Sequence, residues 1–273
     1  MAAPLGSPFR AFFRLSAYVG FTFALMPLQA VAVALRLQLR ETLPLWYHGR
    51  CCRILGIKVE RRGRRSAVRP TLFVSNHSSY LDISVLGSLL RTSFVAKAEV
   101  SRWPFFGWLA KLQRTVFIER RARRTADQRN QIVARLEQGD SLVLFPEGTS
   151  DDGNRVLPFK SGLLAAAACE VDGELVTVQP VSISYTRLDG LPLGRHLRPL
   201  FAWYGDMEMV PHLWQLAGLG RLTVVVHFHR PVRLRDFASR KALSDHCHAE
   251  VSRGVARALA GRLPTGRQQK MAA

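Results

Sequence analysis

The longest apolar segment of the chain lies close to its N-terminus. Residues 15–35 (LSAYVGFTFALMPLQAVAVAL) carry no charge, and two arginines flank the run on each side. About 20 apolar residues suffice for a helix to cross a bilayer. The pattern predicts a helical membrane anchor. A cleaved signal peptide ending near residues 30–32, or a buried core helix, would give the same pattern.

A second segment with membrane character follows at residues 43–56. Its sequence, LPLWYHGRCCRILG, combines aromatic and basic residues, and this mixture suits the headgroup region of a bilayer. Two such segments in succession suggest a hairpin or a monotopic anchor. More positive charge follows the apolar run than precedes it, which favours a cytoplasmic location for the bulk of the chain. We therefore expect residues 1–60 to form membrane-anchoring helices on the cytoplasmic face of the inner or plasma membrane.

The rest of the chain alternates between short apolar runs and helical patterns. The runs predict buried strands, at residues 71–75, 93–95, 115–118, 142–145, 176–184 and 223–228. Helical segments are predicted from the end of the first strand to about Leu90, from Thr125 to Gly139, and over the Ala-rich residues 163–169.

This alternation predicts an α/β fold, with a mixed, largely parallel sheet flanked by helices. We expect a catalytic-size domain over residues 61–263, opening on a basic linker at 61–68 (RRGRRSAV). Residues 264–273 are predicted to form a flexible tail.

The charge of the chain restricts its partners. Lys and Arg number 39 against 20 Asp and Glu, a formal net charge of +19. Nucleic acid, a membrane surface or a phosphate-bearing substrate could each explain such an excess. The arginines are scattered, and the sequence has no helix-turn-helix or aromatic-interleaved basic motif, which argues against nucleic acid. The four cysteines lack the spacing of a disulfide framework or a zinc site, so a reducing compartment and no bound metal are expected.

Chemistry-bearing residues gather directly after the predicted strands, and the first group is NHSSYLD at residues 76–82. His77 and Asp82 are about 140° apart on an ideal helix and would not share a face. They can meet if His77 lies on the turn and the helix starts near Ser79. A carboxylate on one imidazole nitrogen would then make the other nitrogen a better base. Alternatively, Asp82 only caps the helix.

A second group is FPEGTS at residues 145–150. Glu147, Gly148 and Thr149 could hold a polar acceptor close to the backbone, with Lys160 as a basic residue further along. The same residue types are also common in ordinary turns.

Two further segments complete the pattern. Arg120 follows the third predicted strand and could clamp a phosphate, or belong to a solvated basic turn. Pro180 interrupts the strand around VQPV (178–181) and could shape a groove, but it would by default indicate an edge strand.

Taken in order, these four segments resemble the motif blocks of the glycerolipid acyltransferase superfamily, the PlsC-type enzymes that acylate lysophosphatidic acid. The resemblance runs from about residue 60 to about residue 230. NHSSYLD matches the NHx4D block, and FPEGTS is close to FPEGTRS, with Ser150 where arginine is common. This departure leaves open whether Arg155 or Lys160 supplies the basic group.

The resemblance implies a mechanism without an acyl-enzyme. His77 would act as general base and Asp82 would orient it, Arg120 would bind the acceptor phosphate, and Glu147 and Gly148 would hold the glycerol. The acyl donor would be acyl-CoA or acyl carrier protein, no cofactor or metal would be needed, and the product would be phosphatidic acid. Another lysolipid acceptor, such as lyso-ornithine lipid, is an alternative. A non-catalytic lipid-binding protein of the same fold is a second one.

Two other motifs are interpreted as structural. GDSL at residues 139–142 spells a lipase signature, but Ser141 precedes its predicted strand, whereas a hydrolase nucleophile follows one. His227 and His229 lack the spaced partners of a zinc site and are expected on one face of a late strand.

Overall fold

The computed structural model describes residues 6–119 and 125–263. Within these ranges the α-helices are α1 (Pro8–Ala34), α2 (Leu39–Ile54), α3 (Leu81–Gly87), α4 (Phe106–Leu112), α5 (Thr125–Glu137), α6 (Met209–Gly218) and α7 (Arg240–Leu259). The strands are β1 (Ile57–Arg62), β2 (Thr71–Ser75), β3 (Ser93–Lys97), β4 (Val116–Ile118), β5 (Leu142–Leu144), β6 (Glu170–Val171), β7 (Glu174–Leu175), β8 (Thr177–Leu188), β9 (Leu191–Pro192) and β10 (Leu222–Phe228).

One mixed sheet organises the described chain. Its order is β1-β10-β8-β2-β5-β3-β4, with β9 paired to β8. Only the β8 pairings with β9 and β10 are antiparallel; the others in this sheet are parallel. β6 and β7 form a separate small hairpin. The predicted mixed, largely parallel sheet is confirmed.

Helices cover both faces of this sheet, which explains why its strands read as continuous apolar runs. In β2, Phe73 enters a core that also contains residues of α2, α3 and α6. Leu72 and Val74 point to the opposite core, which contains residues of α5 and α7. The helix predicted after β2 ends at Gly87 rather than near Leu90.

Two predictions for local structure are corrected. The basic linker at 61–68 is in part a strand, because Arg61 and Arg62 end β1 and pair with Val226 and His227 of β10. The alternation of apolar and polar residues with which β1 begins lies before residue 61, so residues 61–68 alone do not indicate a strand. The Ala-rich segment forms a 3-10 helix, Ser161–Ala168. The proposed tail at 264–273 lies outside the described residues.

Pro180 does not lie on an edge strand, which corrects a further prediction. β8 runs between β2 and β10 in the sheet interior. Proline offers no N–H to the ladder, and the buried side chain of Gln179 compensates. Its Nε2 donates to the carbonyl of His229 at 2.8 Å and to that of Arg64 at 2.9 Å. The local hydrogen bonding is thus restored by the residue that precedes the proline.

Helix α1 packs lengthwise against the rest of the protein. Its buried residues form one stripe along the helix: Ala11, Tyr18, Thr22, Gln29 and Ala32. Near one end, Arg14 Nη1 donates to the carbonyl of Ala217 in the last turn of α6 (3.1 Å) and to that of Leu219 just after it (2.7 Å). Near the other end, Gln29 Nε2 donates to the carbonyl of Leu112 in α4 at 2.9 Å.

The opposite face of α1 is apolar and exposed. In the most apolar 18-residue window only 17% is buried, and α1 is the one helix among the described residues that is long and apolar enough to cross a membrane. Phe9, Phe12 and Phe13 are largely exposed, as are Trp108 of α4 and Trp214 of α6. A buried core helix would not leave such an apolar face exposed, so this exposure favours a membrane anchor.

Candidate active site

His77 and Asp82 meet at the carboxyl end of β2. His77 lies on the turn after the strand, and α3 starts at Leu81, so Asp82 occupies the first helical turn. The distance from His77 Nδ1 to Asp82 Oδ2 is 2.9 Å. The imidazole is partly exposed, whereas the Asp82 side chain is fully buried. The structure therefore brings together the two residues that the sequence pattern paired.

Asp82 also accepts hydrogen bonds from the backbone. Its Oδ2 accepts from the N–H groups of Ser78 (2.7 Å) and Ser79 (3.0 Å). The capping interpretation and the histidine-orienting interpretation are thus compatible, because one oxygen serves both. The turn is fixed at the start of the helix, and the carboxylate is held where His77 can reach it.

A third member of this arrangement, Tyr185, was not predicted from the sequence. The hydroxyl of Tyr185, on β8, donates to Asp82 Oδ1 at 2.5 Å, and both groups are buried. Burial, reinforced by the negative charge of Asp82, raises the pKa of Tyr185 well above its usual value. Tyr185 therefore stays a neutral donor. No pattern within the sequence pairs residues 103 positions apart, so this contact follows only from the adjacency of β2 and β8.

Two more residues hold the histidine in place. The ring of Phe145, directly after β5, stacks on the imidazole of His77 with centroids 4.2 Å apart. Asn76 bonds to β8 twice: its Nδ2 donates to the Ile183 carbonyl at 3.0 Å, and its Oδ1 accepts from the Ile183 N–H at 2.9 Å. The turn that carries His77 is thereby fastened to two neighbouring strands.

Glu147 lies beside the same turn and is buried. Its Oε1 accepts from the His77 N–H at 3.2 Å. Burial, and to a smaller extent the charges of Asp82 and Asp151, raise the pKa of Glu147 from 4.5 to about 8, although the N–H groups of His77 and Leu157 act in the opposite direction. At neutral pH its carboxyl group is therefore largely protonated and can donate a hydrogen bond.

The other predicted residues occupy the loop after β5 or lie beyond the described chain. Gly148 has φ +77°, in the left-handed region that glycine favours. Thr149 and Lys160 are exposed, and the Lys160 N–H donates to the Pro146 carbonyl at 3.0 Å. Arg120 lies outside the described residues.

An apolar cavity of about 210 Å³ opens beside the histidine turn. Tyr80 and Leu81, three and four residues after His77, line one wall. Met26 of α1, Leu109 of α4 and Leu213 of α6 are among the other lining residues. The cavity thus lies between the N-terminal helix and the sheet domain, and its lining suits a hydrocarbon chain.

The motifs that were interpreted as structural have structural contacts. Ser141 directly precedes β5, and its Oγ accepts from the Thr71 N–H at 3.0 Å. The neighbouring Asp140 forms ion pairs with Arg114 and Arg135, both at 2.7 Å. These contacts fasten the end of α5 and the start of β5, and they leave Ser141 inside the fold.

The late histidine pair is also held in place. His227 and His229 lie with ring centroids 4.3 Å apart, and His229 Nε2 is 3.1 Å from Ser182 Oγ. In the described part of the chain, no group of three or more His, Cys, Asp and Glu side chains is placed to hold a metal ion.

Comparisons with known proteins assign the family. The family model named Acyltransferase matches residues 56–184, the span that contains β1, β2, β5 and most of β8. A lyso-ornithine lipid O-acyltransferase from Brucella abortus is 42% identical over 93% of this chain and 96% of its own length. The chain therefore belongs to the PlsC-type acyltransferase family, and it is an O-acyltransferase of lysolipids.

Two further relatives are also acyltransferases of lysolipids, but they are named for a different acceptor from that of the Brucella abortus protein. A 1-acyl-sn-glycerol-3-phosphate acyltransferase from Neisseria gonorrhoeae is 31% identical over 74% of this chain and 75% of its own length. The crystal structure of the 1-acyl-sn-glycerophosphate acyltransferase PlsC from Thermotoga maritima superposes with a TM-score of 0.67 at 22% identity, covering 92% of this chain and 93% of that one. The structural likeness confirms the fold.

Proposed function

We propose that this protein transfers a fatty acyl group from an acyl thioester to the free hydroxyl of lyso-ornithine lipid. The identity of 42% over nearly the whole of both chains, to a relative named for that acceptor, supports this acceptor over lysophosphatidic acid. The relative named for the glycerophosphate acceptor is less similar and matches a shorter span. Lyso-ornithine lipid, which the sequence analysis gave as an alternative acceptor, is therefore preferred to lysophosphatidic acid.

The observation that carries the chemistry is the 2.9 Å contact between His77 and Asp82. The ionised carboxylate can only accept, so Nδ1 carries the proton and Nε2 keeps its lone pair. Nε2 takes the proton of the acceptor hydroxyl as the oxygen attacks the thioester carbon. The carbon–sulfur bond then breaks, and His77 returns the proton to the departing thiolate. Asp82 stabilises the imidazolium that exists between these two steps.

The apolar cavity is proposed to take an acyl chain. Its wall at Tyr80 and Leu81 follows the catalytic turn directly, so a chain in the cavity would have its reactive end near His77. The acyl donor is proposed to be acyl-CoA or acyl carrier protein. Either donor is anionic and would be attracted by the strongly basic protein.

The protein is proposed to lie on the membrane with the exposed face of α1 in the lipid. Arg14 and Gln29 hold α1 against α6 and α4, and the exposed aromatic residues of α1, α4 and α6 project away from the protein. A helix fixed in this way fits a monotopic arrangement, which would give the active site access to a lysolipid in the leaflet.

The test is acyl transfer by the purified full chain in detergent micelles. Labelled lyso-ornithine lipid and lysophosphatidic acid are each offered with acyl-CoA or acyl carrier protein. We expect faster product formation from lyso-ornithine lipid, and loss of most activity in His77→Ala. His246→Ala removes a histidine outside the site and is the matched control. Turnover of lysophosphatidic acid alone would refute the proposed acceptor, and full activity of His77→Ala would refute the mechanism.

Substitution of Arg120 tests in a second way whether the acceptor carries a phosphate. If the acceptor has no phosphate, Arg120→Ala should leave the Michaelis constant for lyso-ornithine lipid within about twofold of wild type, because the clamp would have nothing to bind. A selective increase of the Michaelis constant for a phosphate-bearing acceptor would instead support the role that the family resemblance implies.

A further inference from the structure

A polar cavity of about 510 Å³ lies near the catalytic turn, separate from the apolar one. Its lining residues are charged or polar: Asp152, Asn154, Arg155, Arg195 and Arg198. They come from the loop after β5 and from the segment after β9. The volume is in the range of small-molecule sites, and the chemistry described above assigns no role to this cavity.

Both of its walls are fastened to the residues that carry His77. The Asp151 N–H donates to the His77 carbonyl at 3.2 Å, and the Trp203 N–H donates to the Ser78 carbonyl at 2.8 Å. Ser150 Oγ donates to the Trp203 carbonyl at 2.5 Å and links the two walls. A ligand in this cavity would therefore be held at a fixed position relative to the catalytic base.

Asn154 lies between the negatively charged Asp152 and the positively charged Arg198 in the cavity. The Asn154 N–H and its Nδ2 donate to the two carboxylate oxygens of Asp152, both at 2.9 Å. Asn154 Oδ1 accepts from Arg198 Nη1 at 2.5 Å, and Nδ2 also donates to the Arg195 carbonyl at 3.2 Å. Asn154 thus holds one carboxylate and one guanidinium at the same time, on different atoms.

Two of the three guanidinium groups have no direct counterion. Arg155 pairs with Asp151 at 2.9 Å, but neither Arg195 nor Arg198 forms an ion pair with any residue in the described ranges. Partial burial lowers the pKa of Arg198; the negative charge of Asp152 acts in the opposite direction, and the positive charge of Arg195 adds a smaller lowering. An anion near Arg195 and Arg198 would relieve their repulsion, and Asp152 remains as a negative group close by.

We propose that this cavity binds the zwitterionic headgroup of the acceptor, with its carboxylate at Arg195 and Arg198 and its ammonium at Asp152. The inference rests on the proposed function and names the residues that would select an amino-acid headgroup. An ornithine headgroup presents a carboxylate and an ammonium on one short carbon chain. Guanidinium groups bind carboxylates with paired hydrogen bonds, and the carboxylate of Asp152 is already oriented by Asn154.

The test compares Arg195→Gln and Arg198→Gln with wild type under steady-state conditions. Arg262→Gln, which removes the same charge beyond the end of α7, is the control. Loss of a charge-assisted hydrogen bond should raise the Michaelis constant for lyso-ornithine lipid about tenfold in each variant. The turnover number and the Michaelis constant for the donor should stay within about twofold. Arg198→Lys keeps the charge and should recover part of the loss.

A second arm uses an acceptor analogue whose headgroup carboxyl is amidated. Wild type should bind it at least tenfold more weakly than the natural acceptor, whereas the double variant Arg195→Gln/Arg198→Gln should no longer distinguish the two. A variant that is merely misfolded would not lose this discrimination selectively.

The outcomes separate the possible sources of the anion. A rise in the Michaelis constant of the donor alone would assign the arginines to the donor's phosphate and overturn the proposal. Unchanged constants for both substrates would overturn it as well. If wild type fails to turn over lyso-ornithine lipid, the proposed function fails and the headgroup assignment fails with it. If wild type succeeds but the arginine variants match Arg262→Gln, only the headgroup assignment fails.

Discussion

Replacing Asp82 by asparagine should separate the charge of this residue from its shape. The side chain is fully buried and accepts from His77, two backbone N–H groups and Tyr185. In Asp82→Asn the remaining carbonyl oxygen can still face His77 and the backbone donors. The new amide group would then face the hydroxyl of Tyr185, which can accept as well as donate. The turn should therefore keep its conformation and lose one negative charge.

The magnitude follows from the geometry. A 2.9 Å contact between nitrogen and oxygen places the charges of His77 and Asp82 roughly 4 Å apart once the imidazole is protonated. At an effective dielectric constant of about 20, this pair is worth about 4 kcal/mol. Because the charge on His77 develops only as the acceptor loses its proton, the loss should fall on the turnover number, by about 10³-fold.

The assay measures steady-state acyl transfer with labelled donor, together with thermal unfolding to check that the variant is folded. Tyr185→Phe is the comparison variant, since it removes one donor to the carboxylate and leaves the charge. It should lose less activity than Asp82→Asn. A folded Asp82→Asn protein with a turnover number within tenfold of wild type would refute the argument that the carboxylate stabilises an imidazolium.

Three further predictions concern stability and chain selection. The raised pKa of Glu147, about 8 against 4.5, means that the native state binds more protons than the unfolded state between these values. The contribution of Glu147 to stability should therefore fall as pH rises from 5 to 8, by up to about 1.4 kcal/mol per pH unit, so the stability of wild type relative to Glu147→Gln should fall over this range in thermal unfolding. Ala110→Phe narrows the apolar cavity, so competition between acyl donors should shift toward shorter chains, and an unchanged preference would exclude the cavity as the chain site. Arg14→Ala removes the donor to the Ala217 and Leu219 carbonyls, and it should lower the unfolding temperature, with an expected cost of roughly 1–3 kcal/mol. Arg14→Lys should lose less.

The sequence predicts those parts of the fold that depend on local pattern. β2, β5 and the His77–Asp82 turn follow from apolar runs bounded by turn residues, and their placement needed no knowledge of neighbouring strands. The helix α7 was not predicted, although Leu243, Cys247 and Val251 recur at every fourth residue and are buried in it.

Contacts between elements were not predictable in the same way. The hydrogen bond from Tyr185 to Asp82 and the stacking of Phe145 on His77 depend on β2 lying between β8 and β5. The edge strand predicted from Pro180 is wrong, although a proline in a strand usually indicates an edge. Here the side chain of Gln179 supplies the hydrogen bond to His229 that the proline backbone cannot make. The sequence therefore located the reacting residues, and the strand order determined what orients them.

The arrangement of α1 on the membrane can be decided with single cysteines. Arg14 and Gln29 both bind the sheet domain, and about 22 Å of helix lies between them. If α1 crossed the bilayer upright, the domain would follow it into the hydrocarbon, so we expect both ends of α1 on the same side. The four native cysteines are buried, whereas the polar residues Arg10 and Gln38 are exposed near the two ends. In sealed vesicles an impermeant thiol reagent should label Arg10→Cys and Gln38→Cys from the side that labels Ala256→Cys on α7. Labelling of Arg10→Cys and Gln38→Cys from opposite sides would show that α1 spans the membrane.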